Sequence, residues 1–226
     1  NDLYLLSAHD LSATLVQTSG EIPSPRVGHA CAIISSVLIV WGGDTKTDPL
    51  SDQSFLNDLW SFDLDTLRTP TAWELCQPVG APRPTQRTGH ACVTYQDRII
   101  VFGGTDGLWY YNDTWSYDTI TRTWSELECI GFIPSPREGH AAAVVDDVIY
   151  IFGGRGVGSK DLGDLAALGM SNQRWYMFQN MGPAPSGRSG HAMASVGTKV
   201  FVLGGESFTP TKPDDHGIIN VLDTST

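Results

Sequence analysis

Cationic residues are scarce in this 226-residue chain: 14 Lys and Arg stand against 25 Asp and Glu, for a net charge of −11. A surface of that average sign repels nucleic acid and anionic membrane, so no nucleic acid is expected as a partner. No apolar run approaches the ~18 residues that a spanning helix needs, so no membrane insertion is expected either. Cysteine is sparse, with four residues and no Cys-x-x-Cys pair, which excludes a disulfide framework in a chain of this length. Cys31 and Cys92 occupy a repeated position that elsewhere holds Ala142 and Met193, so both read as small core residues. A reducing compartment, hence a cytoplasmic location, is the expected one. The opening Asn1-Asp2-Leu3-Tyr4 is neither a leader nor a natural start and reads as the interior of a longer protein.

What the chain does contain is Arg-x-Gly-His-Ala in four copies: Arg26-Val27-Gly28-His29-Ala30, Arg87-Thr88-Gly89-His90-Ala91, Arg137-Glu138-Gly139-His140-Ala141 and Arg188-Ser189-Gly190-His191-Ala192. An apolar run and a diglycine follow each, at Gly42-Gly43, Gly103-Gly104, Gly153-Gly154 and Gly204-Gly205. In every copy a first strand (29–35, 90–95, 140–145, 191–196) meets a tight turn and then an almost wholly apolar second strand such as Val148-Ile149-Tyr150-Ile151-Phe152. An apolar strand of that kind needs cover on both faces, which stacked neighbouring sheets supply. A third strand begins at Asn57-Asp58-Leu59-Trp60 or Asn112-Asp113-Thr114-Trp115, and a fourth carries Trp73, Trp124 or Trp175. These aromatics read as core. The segment 67–71 reads as a lengthened turn between third and fourth strands.

A period of ~50 residues with four short strands predicts an all-β propeller of four-stranded antiparallel blades. The chain resembles the kelch-repeat family over essentially its whole length. The proline-spelled copies Pro23-Ser24-Pro25-Arg26 and Pro134-Ser135-Pro136-Arg137, with Asn-Asp-Leu-Trp, are most similar to the fungal tip-elongation and Kel-type cell-polarity members. The strand inventory is 17 of the 24 that a six-blade ring contains, so an incomplete ring is expected. Its parts would be strands of a preceding blade in 1–17, blades in 18–77, 78–129 and 130–180, and three strands of a last blade in 181–226.

The resemblance implies a non-catalytic protein-interaction scaffold of the cell-polarity type, with polarity or cytoskeletal factors or acidic peptide segments as partners and oligomerisation through segments outside this chain. Two alternatives stay open: a vesicle-traffic effector of small GTPases, and a kelch metal-dependent enzyme or small-molecule binder. Four histidines at one repeat position suggest a metal site, but one per blade cannot converge on an ion, so neither metal nor cofactor is expected. In kelch domains that bind acidic peptides, arginines of the Arg-x-Gly position contact carboxylates. That resemblance makes Arg26, Arg87, Arg137 and Arg188 candidate partner-binding residues, while the alternative is that each pairs with an acidic residue of its own or a neighbouring blade. The long polar loop 44–55, Trp109, and the glycine-rich 155–163 with Arg155 are further candidates. The Leu165-Ala166-Ala167-Leu168 stretch that follows reads either as a thin outer edge or as a place where a partner sits.

Overall fold

The computed structural model describes residues 1–46, 54–67, 71–179, 182, 184–207 and 219–225. Blade one contains Ala30–Ile34, Val37–Trp41, Leu59–Asp63 and Glu74–Cys76, hydrogen-bonded in chain order and antiparallel. Ala91–Tyr95, Arg98–Thr105, Tyr110–Asp118 and Thr123–Glu126 repeat that order in blade two. Blade three holds Ala141–Val145, Val148–Phe152, Leu165–Gly169 and Arg174–Phe178, and blade four Ala192–Val196, Lys199–Leu203 and Ile219–Asp223. A preceding pair, Tyr4–Leu6 and Ala13–Leu15, stands where third and fourth strands belong. Asn1 Nδ2 donates to the Pro23 carbonyl at 3.2 Å, as Asn112 Nδ2 does to Pro134 at 3.1 Å, which fixes that equivalence.

The turn between first and second strands is built alike in each blade. Its leading residue, Ser35, Gln96, Asp146 or Gly197, takes a positive φ of 51–56°, the geometry that matches the strand twist of a two-residue hairpin. Short parallel strands also appear, which alternation did not reveal. Ile130–Gly131 adds to the outer edge of blade three beside Arg174–Phe178, and Thr18–Ser19 pairs with Thr71–Ala72 at blade one. In each case the chain arriving from the previous blade covers an edge that would otherwise be open. Of the segment 67–71, residues 68–70 lie outside the described residues.

First strands of successive blades lie side by side, and a single glycine position ties them together. Gly89 N–H donates to the Gly28 carbonyl at 2.8 Å, Gly139 to Gly89 at 2.7 Å and Gly190 to Gly139 at 2.8 Å. A Cβ on Gly89 would stand 3.0 Å from Glu138 Cβ, and φ there is +65°, so the third residue of Arg-x-Gly-His has to be glycine.

The core forms between blades. Trp41, from the second strand of blade one, meets Trp124 of blade two at 5.2 Å between ring centroids, and Tyr117 packs on the same Trp124 at 5.1 Å. Phe102 of blade two meets Trp175 of blade three at 4.9 Å. Leu165–Gly169 is therefore no thin edge and no partner surface. Ala166, Ala167 and Leu168 are buried, and Ala166 and Leu168 pack in the same cluster as Phe102 and Trp175. Cys31 also departs from expectation: it is exposed, because it lies on the flank of blade one that no complete blade covers, whereas Cys92 is half-buried. Truncating Trp124 to Ala is expected to cost about 3–5 kcal/mol, because the residue is shared by two blades and neither can collapse alone. Urea unfolding of the purified variant measures it, and a loss below about 1 kcal/mol would mean that the blades do not stack through this residue.

Candidate partner-binding face

Each repeated arginine sits at the start of a first strand, beside the end of the second strand and the beginning of the third. All five guanidinium donors of Arg87 are used. Nε donates to the Thr85 carbonyl (3.1 Å), Nη1 to the Gly103 carbonyl (3.0 Å) and Asp113 Oδ1 (2.6 Å), and Nη2 to Thr85 Oγ1 (3.0 Å) and Asp113 Oδ2 (2.9 Å). The Tyr111 ring lies 4.2 Å from the guanidinium carbon. Arg26 repeats the pattern with Ser24, Gly42 and Asp58, and Arg137 with Ser135, Gly153 and Asp164. Their side chains are 4%, 1% and 1% exposed for Arg26, Arg87 and Arg137. Arg188, also buried, bonds the Gly204 carbonyl at 2.9 Å and Ser186. Ile218, which holds the aspartate's place in sequence, lies outside the described residues.

The arginines therefore share one end of the blades, but they do not present their charge. Among the described residues, Arg26, Arg87 and Arg137 clasp an aspartate of their own blade, and no guanidinium N–H of these three is left to meet a carboxylate from outside. Trp60 and Trp115 donate from Nε1 to the same aspartates, at 2.6 and 2.7 Å. Burial alone would raise the Asp58 carboxyl, but hydrogen bonds from Arg26 and Trp60 hold it below the usual range. The residue two before each arginine, Ser24, Thr85, Ser135 or Ser186, bears the hydroxyl that completes the clasp. Pairing with an acidic residue of the same blade is thus the alternative that holds for these three arginines, and its sequence signals are that recurrent hydroxyl and the aspartate opening the third strand.

The histidines belong to the blade joints. His90, His140 and His191 are buried and stand edge-on to Trp41, Phe102 and Phe152 of the preceding blade, with ring centroids 4.6, 5.4 and 5.5 Å apart. His191 Nε2 lies 3.0 Å from the Phe152 carbonyl oxygen, and His90 and His140 face the equivalent backbone of Trp41 and Phe102. Burial first, then the neighbouring Arg87 or Arg137 charge, pushes His90 and His140 down to about 3; burial likewise brings His191 to about 4. A Cβ on Gly42 or Gly153 would stand 2.8 or 2.7 Å from the Cε1 atom of the next blade's histidine, which is why the diglycine follows the second strand.

Around these clasps, the residue inside each Arg-x-Gly is at least partly accessible, whereas of the residues after the diglycines Asp44 and Thr105 are buried and Arg155 and Glu206 reach solvent. They pair as Val27 with Asp44, Thr88 with Thr105, Glu138 with Arg155 and Ser189 with Glu206. Arg155 is 26% exposed, held by Asp161 at 3.4 Å and bonded to Ser189 Oγ of blade four at 3.2 Å. Burial raises the Glu138 carboxyl, and Arg155, Tyr110 and Lys46 offset that rise from three blades.

Trp109 is 69% exposed and its neighbour Leu108 is 75% exposed. Their loop is rigid: Asp106 Oδ1 accepts from Leu108 N–H and Trp109 N–H, Thr105 Oγ1 donates to the Trp109 carbonyl at 2.7 Å, and Tyr111 O–H donates to Asp106 Oδ2. Nothing in the repeat pattern marks Leu108, or Val157 at the corresponding loop of blade three, which is also exposed. Most of loop 44–55, residues 47–53, lies outside the described residues.

The histidines make a prediction about pH. Each is held neutral in the fold, while the unfolded chain takes up protons below the ordinary value of 6.5. Stability is therefore full above about pH 6.5 and falls on acidification toward pH 3–4, by at most about 1.4 kcal/mol per pH unit for each histidine. Urea unfolding at about pH 7, 6 and 5 is expected to show that loss, and His140→Gln to make it shallower. Stability that stays level across this range would contradict the buried, neutral histidines.

Comparison with known proteins agrees with this geometry. The family described as the KLHDC2/KLHL20/DRC7 Kelch-repeats domain matches residues 1–205. The chain is 38% identical to Tip elongation aberrant protein 1 of Schizosaccharomyces pombe over 100% of its own length and 19% of that protein's. It is 34% identical to Kelch repeat-containing protein 2 of Saccharomyces cerevisiae, covering 96% of this chain and 25% of the relative. Kelch domain-containing protein 1 of Mus musculus is 31% identical, over 89% of this chain and 54% of the relative. The chain thus spans from about a fifth to about half the length of these relatives. From the repeated clasp, the blade order and these matches together, the chain belongs to the kelch-repeat β-propeller family.

Proposed function

We propose that this chain is a non-catalytic protein-interaction module and that it meets its partner on the face that carries the arginine clasps. The observation that supports this reading best is the rigid display of Leu108 and Trp109, two large apolar side chains held out to solvent by a loop whose backbone is pinned at both ends. An exposed tryptophan on a fixed backbone loses little conformational freedom on binding, which is how anchor residues gain affinity. Arg155, tethered to Asp161 and Ser189, stands near the Tyr110 phenol on the same face, so a partner segment that offers an apolar side chain to Leu108 and Trp109 fits best. Arg26, Arg87, Arg137 and Arg188 act in this reading by fixing the loops that carry the contacts.

The Schizosaccharomyces pombe relative is named for tip elongation, and the Saccharomyces cerevisiae relative for its kelch repeats. On that basis we assign the module to a scaffold working in the cytoplasm near the cell cortex or cell ends, with polarity or cytoskeletal proteins as partners. Quantitative affinity capture with the unaltered chain and with the L108S/W109A variant tests the face. The same partners are expected to drop at least about tenfold with the variant while its melting temperature stays within a few degrees. A partner set that is unchanged by L108S/W109A and by Arg155→Glu would place the contact elsewhere.

A further inference from the structure

The hydroxyl residue two before each arginine differs between blades in what surrounds it. Ser24 and Ser135 are each enclosed by prolines, as Pro23-Ser24-Pro25 and Pro134-Ser135-Pro136, whereas Gln86 follows Thr85 and Gly187 follows Ser186. Pro23 and Pro134 are buried, and their carbonyls accept from Asn1 and Asn112, so the backbone is anchored just ahead of each serine. The two serines are exposed, in segments 21–26 and 132–137 that form neither helix nor strand. Ser186, by contrast, is only 8% exposed.

Within the clasp each serine hydroxyl acts only as an acceptor. Arg26 Nη2 donates to Ser24 Oγ and Arg137 Nη2 to Ser135 Oγ, both at 3.2 Å, and neither O–H meets an acceptor among the described residues. The same Nη2 atoms reach Asp58 Oδ2 at 2.8 Å and Asp164 Oδ2 at 2.7 Å. An exposed serine with an uncommitted proton and a proline immediately after it is the substrate pattern of proline-directed protein kinases. Here that pattern stands directly on a buried ion pair.

We propose that Ser24 and Ser135 are phosphorylation sites and that the phosphoryl group loosens the arginine clasps of blades one and three. Serine Oγ attacks the γ-phosphorus of ATP, and the Oγ–P bond forms as the bond to the β,γ-bridging oxygen breaks. ADP leaves, and the hydroxyl proton passes to the carboxylate base of the kinase. The product brings a charge of about −1.5 to −2 beside a guanidinium whose five N–H groups are already engaged. It gains a donor only by drawing Nη2 away from the aspartate, and it adds like charge next to that carboxylate. Thr85 and Ser186, which lack the proline, stay unmodified. The inference rests on the clasps and does not depend on what the face binds.

The test treats the folded 226-residue chain with a mitogen-activated protein kinase and Mg-ATP, maps the product by peptide mass spectrometry, and follows thermal unfolding before and after phosphatase. Phosphoryl groups are expected on Ser24 and Ser135, and on neither Thr85 nor Ser186. The phosphorylated chain is expected to melt at least about 3 °C lower, with full recovery after phosphatase. Pro25→Ala combined with Pro136→Ala keeps both clasp hydroxyls and removes only the proline signal. Treated alike, that variant is expected to carry no phosphoryl group on either serine and to keep its melting temperature. It also isolates the clasps from Thr69-Pro70 and Thr209-Pro210, the chain's other pairs of this kind, which lie outside the described residues. A map that finds neither Ser24 nor Ser135 modified would overturn the sites, and the unaltered chain decides this even if the variant fails to fold. An unchanged melting temperature in the mapped product, or an equal fall in the treated variant, would overturn the loosening of the clasps.

Discussion

A guanidinium withdrawn from water must recover every hydrogen bond it gives up, and five N–H groups pointing in one plane are hard to satisfy with fewer than three partners. This fold meets that demand the same way in blades one, two and three. An aspartate opening the third strand takes two bonds, the hydroxyl and carbonyl two residues upstream take two more, and the first carbonyl of the diglycine takes the last. One side chain therefore joins the incoming chain, the end of the second strand and the start of the third. The glycine ladder and the interblade tryptophans stack in register on blades whose corners these bonds hold.

That constraint also bears on the proposed role. Residues that define the repeat are used up by the fold, so in that role specificity falls to the positions the repeat leaves variable: the residue inside Arg-x-Gly and the loop beyond the diglycine. Those positions differ in every blade, with Val27, Thr88, Glu138 and Ser189 in the first set. Constancy of the frame and variety of the rim are two consequences of one buried ion pair.

Much of the architecture could be read directly. The Arg-x-Gly-His period, the apolar second strands and the diglycines located the blades, and Trp124 and Trp175 were recognised as core. The function of the arginines was harder, because net charge and motif spacing say nothing about whether a guanidinium faces solvent. The deciding signals were pairwise: Ser24, Thr85, Ser135 and Ser186 two residues upstream, and Asp58, Asp113 and Asp164 some thirty residues downstream. Blade three misled for a different reason. Leu165-Ala166-Ala167-Leu168 looks weak as a strand until Ala166 and Leu168 are seen packed with Phe102 and Trp175. Trp109 was found from the alignment of copies alone, while Leu108 and Val157 required knowing which way the loops project.

A double-mutant cycle on Arg137 and Asp164 addresses the buried clasp itself. Urea unfolding of Arg137→Leu, Asp164→Leu and the double variant at neutral pH gives the coupling between the two side chains. A coupling of about 2–3 kcal/mol is expected, with the double variant more stable than the sum of the single losses implies. Single losses that simply add, with coupling near zero, would mean that the arginine does not depend on its aspartate and that the blade corners are held by something else.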